Sequence, residues 1–267
     1  MTRIIVAGAT GRMGSRIVAL SRDFQGIQLS GAFERRGHAS TGKDAGLLAG
    51  CGETGVFLSD DLGSIINSGD VIIDFTVPES TFANLQLAAS RKKSMIIGTT
   101  GITSQQMETV KQLSKEVAIV MAPNMSIGVN LLLRVLKDVA KVLGDDYDIE
   151  IVEAHHRLKK DAPSGTALKM AQVIADAVNR DLNEVAVYAR KGIIGERTKK
   201  EIGIQTIRAG DIVGDHTVIF GGLGERIEIT HKASSRDTFA RGALRAALWL
   251  TGKVPGLYDM QDVLGLK

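Results

Sequence analysis

The chain of 267 residues has one cysteine, four prolines and an aromatic fraction of only 4%. The lone cysteine excludes an intrachain disulfide and any cysteine-based metal cluster. Cys51 stands between Gly50 and Gly52 with no histidine beside it, and is expected to be an unreactive loop thiol. So few aromatic side chains argue against a nucleic-acid binder that stacks bases on rings. Charge of one sign is also missing. The 33 basic and 30 acidic residues leave a net +3, too balanced for a general polyanion binder. No apolar stretch approaches the roughly 18 residues of a membrane span, so no membrane partner is expected. The start, "MTRIIVAGATGRMG", is too briefly apolar for a signal peptide, and a cytoplasmic location is expected. Internal repeats and low-complexity tracts are absent.

What the chain has instead is glycine, 30 residues of it, with 44% hydrophobic and 24% charged residues. That composition suits an α/β enzyme with many strand-to-helix turns. In the first half, continuous apolar runs at 3–8, 27–34, 70–76, 94–101 and 117–124 alternate with helical spacing at 13–23, 79–93 and 103–116. Continuous apolar strands are those of a parallel sheet covered on both faces, so the expectation is a Rossmann-like, doubly wound α/β sheet. The second half differs. A long helix over 127–144, with Leu131, Leu132, Val135, Val139 and Leu143 available for its apolar face, precedes an alternating strand over 146–156. A helix capped by Ser164 follows, then strands at 203–210, 214–222 and 225–233, the last two joined as a hairpin through "GGLGE". This predicts a second α+β domain with a mixed sheet over 127–235. Residues 1–126 form the dinucleotide-binding domain, rejoined by 236–267. The helix at 238–252 carries the only tryptophan, Trp249, expected to serve packing.

Gly8, Gly11 and Gly14 of "VAGATGRMG" lie where the first strand turns into the first helix. There, the first glycine permits the tight turn and the second a close approach of pyrophosphate to main chain. The third allows close helix–strand packing, with the helix N-terminus facing the anion. Glu34 ends the second strand, where an acidic side chain binds the ribose hydroxyls of NAD; Arg35 or Arg36 next to it suits a 2′-phosphate. Both NADH and NADPH are therefore candidate cofactors. "GTTG" (98–101) and "APNMS" (122–126) sit at further strand ends on the edge where such sheets bind ligands.

The segment "EAHHRLKKDAPSGTA" (153–167) crowds His155, His156, Arg157, Lys159 and Lys160 into six positions before a helix start. The N–H groups of Gly165 and Thr166 at that start favour a carboxylate, and the lysines add positive charge. His155 or His156 is the candidate proton donor. Anion donors, cations and a proton donor beside a nicotinamide site fit reduction of a small, unsaturated, carboxylate-bearing compound. Zinc binding is not expected, because adjacent residues on a strand point to opposite faces.

"GATGRMG", "GTTG", "APNMSIGVN", "EAHHRLKKDAPSGTA" and "HKASSRDTFARGA" together resemble the dihydrodipicolinate reductase family, over essentially the whole chain and in the family's order. The resemblance implies reduction of the cyclic dicarboxylate imine 4-hydroxy-tetrahydrodipicolinate to tetrahydrodipicolinate with NADH or NADPH, in diaminopimelate and lysine biosynthesis. It further implies a homotetramer built through the second domain. It makes His155 the proton donor and Lys159 the catalytic lysine, with His156, Gly165 and Thr166 on the substrate. The cofactor contacts it implies are Gly8, Ala9, Thr10, Gly11, Arg12, Met13, Glu34, Arg35, Gly98, Thr99, Thr100, Ala122, Pro123, Asn124 and Met125. Two alternatives remain: another NAD(P)-dependent dehydrogenase of amino-acid metabolism, and a nucleotide-sensing regulator on a Rossmann scaffold.

Overall fold

The computed structural model describes all of residues 1–267. In chain order the elements begin with β1 (Thr2–Ala7), α1 (Gly14–Ser21), β2 (Ile27–Phe33), α2 (Ala45–Leu48), β3 (Leu58–Ser59) and α3 (Leu62–Ile65). Next come β4 (Val71–Asp74), α4 (Pro78–Ser90), β5 (Ser94–Ile97), α5 (Ser104–Leu113), β6 (Ala118–Met121) and α6 (Ile127–Leu143). The second half continues with β7 (Asp148–His155), α7 (Gly165–Ala177), α8 (Leu182–Val185), β8 (Ala186–Val187), β9 (Ile202–Arg208), β10 (Gly214–Gly221) and β11 (Arg226–Ala233). Then α9 (Asp237–Leu250), β12 (Gly256–Tyr258) and α10 (Met260–Leu264) close the chain. Two compact units result: residues 1–127 with 236–267, and residues 128–235. No helix is long and apolar enough to cross a membrane.

The first unit is built on a seven-stranded sheet of order β12-β6-β5-β4-β1-β2-β3, parallel throughout. Its central strands are apolar on both faces because helices cover both. Ile4, Val6, Ile73, Ile96 and Val120 pack under α1 and α9. Ile5, Ile72, Met95, Ile97 and Ile119 pack under α4 and α5. The local sequence sets the helix starts: Pro78 opens α4, and Thr103 with Gln106 forms a capping box on α5. Trp249 packs at the rim of this core, edge-on to Tyr258 with 5.2 Å between ring centres. Cys51 is partly covered in its glycine loop, its Sγ 3.5 Å from the Gly46 carbonyl oxygen.

The second unit is a five-stranded mixed sheet of order β11-β10-β7-β9-β8. β10 runs antiparallel to both β7 and β11, while β9 runs parallel to β7. Helices α6 and α7 cover one face, closing a core of Ile149, Ile151, Ile204, Val218 and Phe220 with Leu132, Leu136, Met170 and Ile174. The buried stripe of α6 is only partly the one expected. It is Val129, Leu132, Leu136 and Ala140, with Val139 and Leu143 partly buried, whereas Leu131 and Val135 are exposed. The helix is apolar over more than one stripe, so periodicity alone left two neighbouring faces equivalent.

Candidate active site

Two clusters of chemistry-bearing residues stand out, one in each unit. In the first, strand order reverses between β1 and β4, the switch point at which open parallel sheets bind ligands. Here Gly8 leaves β1 with φ +62°, and its carbonyl accepts from Gly11 N at 2.9 Å. A Cβ on Gly14 would lie 2.0 Å from the Gly8 oxygen, so α1 starts where only glycine fits. The turn thus presents main chain and a helix N-terminus, with Arg12 and Gly11 exposed and Thr10 and Met13 at its sides; Ala9 is buried beneath. That cradle fits a dinucleotide pyrophosphate.

Glu34 follows β2 directly, and its Oε1 accepts from Thr10 N at 3.1 Å and Thr10 Oγ1 at 2.6 Å. Arg35 beside it is exposed. Along the same carboxyl edge, Gly98 packs so closely on Phe75 that a Cβ would fall 2.1 Å from its ring. Thr99 is buried and Thr100 exposed. After β6, Ala122 N donates to the Ile97 carbonyl at 3.1 Å; Pro123 is exposed and Asn124 Oδ1 accepts from Ser126 N at 2.9 Å. Met125 is buried in the core, its carbonyl 1.8 Å from where a Cβ on Gly242 would sit.

Asp74, at the end of β4, escaped sequence reading. It is fully buried without a cation and is held by neutral donors: Thr76 N at 2.9 Å, Thr76 Oγ1 at 2.6 Å, Asn84 Nδ2 at 2.8 Å, Thr81 Oγ1 at 3.1 Å and Thr99 Oγ1 at 3.3 Å. This network anchors the Gly98–Thr100 turn.

The second cluster grows from β7. Side chains on a strand alternate, so Ile149, Ile151, Glu153 and His155 share the face under the helices. Burying a glutamate on that face demands partners. Arg208 supplies a bidentate pair, 2.8 Å to each oxygen, from the neighbouring β9, where it is in register with His155. Ser164 N at 3.0 Å, Thr206 Oγ1 at 3.2 Å and His155 Nδ1 at 2.6 Å complete the set. Burial alone would raise the Glu153 pKa; Arg208, His155 and the Ser164 N–H overcome it and hold it at about 2. Burial lowers the His155 pKa, which Glu153 opposes while Lys159 and Arg208 reinforce.

His155 also meets His216 of β10 edge-on, 5.2 Å between ring centres. His216 Nε2 lies 2.9 Å from Ser164 Oγ, and burial brings its pKa down to about 4. Gly214 leaves room beside the outer ring nitrogen: a Cβ there would sit 3.1 Å from His155 Nε2. Lys159 is 19% exposed and paired with Asp161 at 2.7 Å, while Lys160 is exposed. His156 keeps a buried Nδ1 with no hydrogen-bond partner in the chain. Beyond the cis Ala162–Pro163 bond, Ser164 Oγ accepts from Ala167 N at 3.1 Å and starts α7. The position of Gly165 is open, with no atom within 4 Å of where its Cβ would be, and Thr166 follows it in the first turn.

The structure therefore gathers His155, Lys159, Gly165 and Thr166 around one turn, and adds Glu153, Arg208 and His216. The sequence signal for Glu153 was its phase, one step along the buried face from Ile151; Arg208 and His216 carried no local signal.

Residues 2–125 match the family model described as dihydrodipicolinate reductase, N-terminus, and residues 128–264 match that described as dihydrodipicolinate reductase, C-terminus. The chain belongs to the dihydrodipicolinate reductase family. Curated relatives named 4-hydroxy-tetrahydrodipicolinate reductase include those of Geobacter sulfurreducens, 59% identical, and Geotalea daltonii, 57% identical, each over 100% of both chains. Among solved structures, a dipicolinate-bound dihydrodipicolinate reductase from Paenisporosarcina sp. TG-14 shares the fold with a TM-score of 0.75, at 24% identity over 98% of each chain. An amine dehydrogenase from Mycobacterium smegmatis aligns with a TM-score of 0.61 at 12% identity, over 96% of this chain and 94% of its own. As a dihydrodipicolinate reductase family member, the chain thus has its glycine cradle in the N-terminal match and its histidine cluster in the C-terminal one.

Proposed function

We infer that the protein is an NAD(P)H-dependent oxidoreductase that converts 4-hydroxy-tetrahydrodipicolinate to tetrahydrodipicolinate, a step of diaminopimelate and lysine biosynthesis. Its cofactor is NADH or NADPH. The observation that carries the reading is the single turn in which a carboxylate-bound histidine, a half-buried lysine and a helix N-terminus meet. One dicarboxylate, one hydride and one proton then give product and water.

Bound nicotinamide dinucleotide supplies the hydride. The cradle from Gly8 to Met13 holds its pyrophosphate, Glu34 and Arg35 its adenosine ribose, and the Gly98–Thr100 and Ala122–Met125 turns the remaining edge. Ala9, Thr99, Ala122 and Met125 are buried, so they serve this edge by shaping main chain. In the second unit, Gly165 and Thr166 receive one substrate carboxylate at the start of α7, where the helix dipole favours an anion. Lys159 neutralises charge on the substrate, and the partly exposed His156 side chain offers a further polar contact. His155 delivers the proton from Nε2, the nitrogen that Glu153 does not engage. Two substrate carboxylates nearby raise the His155 pKa and so favour its protonated form.

The reading extends to a homotetramer in the cytoplasm. For self-association the support is the exposure of Ile193, Ile194, Ile207 and Ile227 in the second unit, apolar side chains that a subunit interface would cover. The test of the function is direct. Purified protein should oxidise NADH or NADPH only when the cyclic imine is generated in the same cuvette from pyruvate and aspartate semialdehyde. Oxidation indifferent to the imine would overturn the assignment.

A further inference from the structure

We propose that Glu153 is a positioning residue for the reduction: its buried carboxylate fixes which nitrogen of His155 faces the substrate and ties that ring to the start of the carboxylate-binding helix. The proposal rests on the reading of His155 as proton donor.

Glu153 is 0% exposed, one step along the buried face from Ile151, with Thr206 and His216 opposite it on the neighbouring strands. A buried ion pair is seldom more stabilising than apolar packing of the same volume, so stability alone does not account for Glu153 and Arg208 there. The carboxylate is ionised and can only accept hydrogen bonds. Nδ1 of His155, 2.6 Å from Oε2, therefore carries a hydrogen in every protonation state of the ring. Proton exchange with a substrate is left to Nε2, beside the space kept open by Gly214. The other oxygen, Oε1, accepts from Ser164 N at 3.0 Å, and Ser164 is the N-cap of α7. One carboxylate thus holds the proton donor and the main chain that opens the anion site at a fixed separation. Arg208 reinforces the link, since Nη2 donates both to Glu153 and to the Asp161 carbonyl at 2.7 Å.

The charged and titratable groups facing His155 are Glu153 on its own strand, Arg208 on β9, His216 on β10 and Lys159 on the following turn. Of these only Glu153 favours the protonated ring. Removing its charge while keeping its shape must lower the pH at which His155 loses its proton.

The test is the pH profile of kcat in Glu153→Gln. The expected result is a fall in kcat of at least about tenfold, given usual general-acid contributions. The basic limb should move to lower pH, with the NADPH dissociation constant within about twofold of wild type. A folded variant whose basic limb stays in place would overturn the proposal. Glu153→Gln leaves Arg208 without its counter-ion, so a second measurement keeps the question open to refutation if that variant does not fold. In wild-type protein labelled with 15N-histidine, the His155 signals are assigned by their loss in His155→Gln. The neutral ring should carry its proton on Nδ1. A neutral ring protonated on Nε2 would contradict the proposal.

Discussion

Thr10 and Glu34 are bound to each other: main-chain N–H and hydroxyl of Thr10 both donate to Glu34 Oε1, at 3.1 and 2.6 Å. The first residue past β2 is thereby tied to the glycine turn past β1. Under the proposed cofactor reading, an anchored Glu34 would accept from both ribose hydroxyls of NADH. A 2′-phosphate requires that carboxylate to turn aside and Arg35 to take the phosphate.

This predicts activity with both cofactors within about tenfold, a difference of roughly 1.4 kcal/mol. Arg35→Ala should weaken NADPH binding and leave NADH within about twofold. Thr10→Val, which removes one of the two anchoring bonds, should shift the ratio toward NADPH. Titrations of each cofactor against intrinsic fluorescence decide it. Equal loss of both cofactors in Arg35→Ala would pass the phosphate to Arg36.

The two lysines of the basic turn should behave differently. Lys159 is largely covered and oriented by Asp161, whereas Lys160 is exposed. Lys159→Ala is expected to lower kcat/KM at least about tenfold, an effect on the scale of a lost charge-assisted contact. Lys160→Ala should change it less than about threefold, as surface charges usually do. Steady-state kinetics on both variants check this; equal losses would mean diffuse electrostatics rather than a directed contact.

His216 gives a stability prediction with a definite sign. Its pKa falls from 6.5 to about 4 on burial, so the folded protein binds fewer protons than the unfolded chain. The stability this represents is fully present above about pH 6.5 and is lost as pH falls toward about 4, on the order of 3 kcal/mol in all. Urea midpoints measured across that range should drop on acidification, and His216→Gln should flatten the drop. The same slope in both proteins would remove His216 from the acid sensitivity.

Much of this was legible in the sequence because it is local. The glycine turn, Glu34 at a strand end and the Ser164 cap follow from neighbours in the chain, and the structure places each at the element boundary its residues imply. The unread parts are long-range. Arg208 reaches Glu153 from 55 residues away through the parallel pairing of β7 with β9. Asp74 collects Thr99 from 25 residues away through the β4–β5 pair. The strand Gly256–Tyr258 is too short to show a period, and it is a strand only because the edge of β6 accepts it. On α6, Leu131 and Val135 were expected on the apolar face and are exposed, while Leu136 is buried, because which stripe meets the sheet depends on the helix's docking and not on its own composition.

In the proposed reaction this chain reduces the cyclic imine with a proton from His155. Its most direct test is a single-turnover measurement of NADPH oxidation by the imine in wild type and in His155→Gln, with the NADPH dissociation constant measured on the same samples. The expected rate is at least about a hundredfold lower in the variant, as for loss of a general acid, with cofactor affinity essentially unchanged. Near-normal turnover in His155→Gln would contradict it.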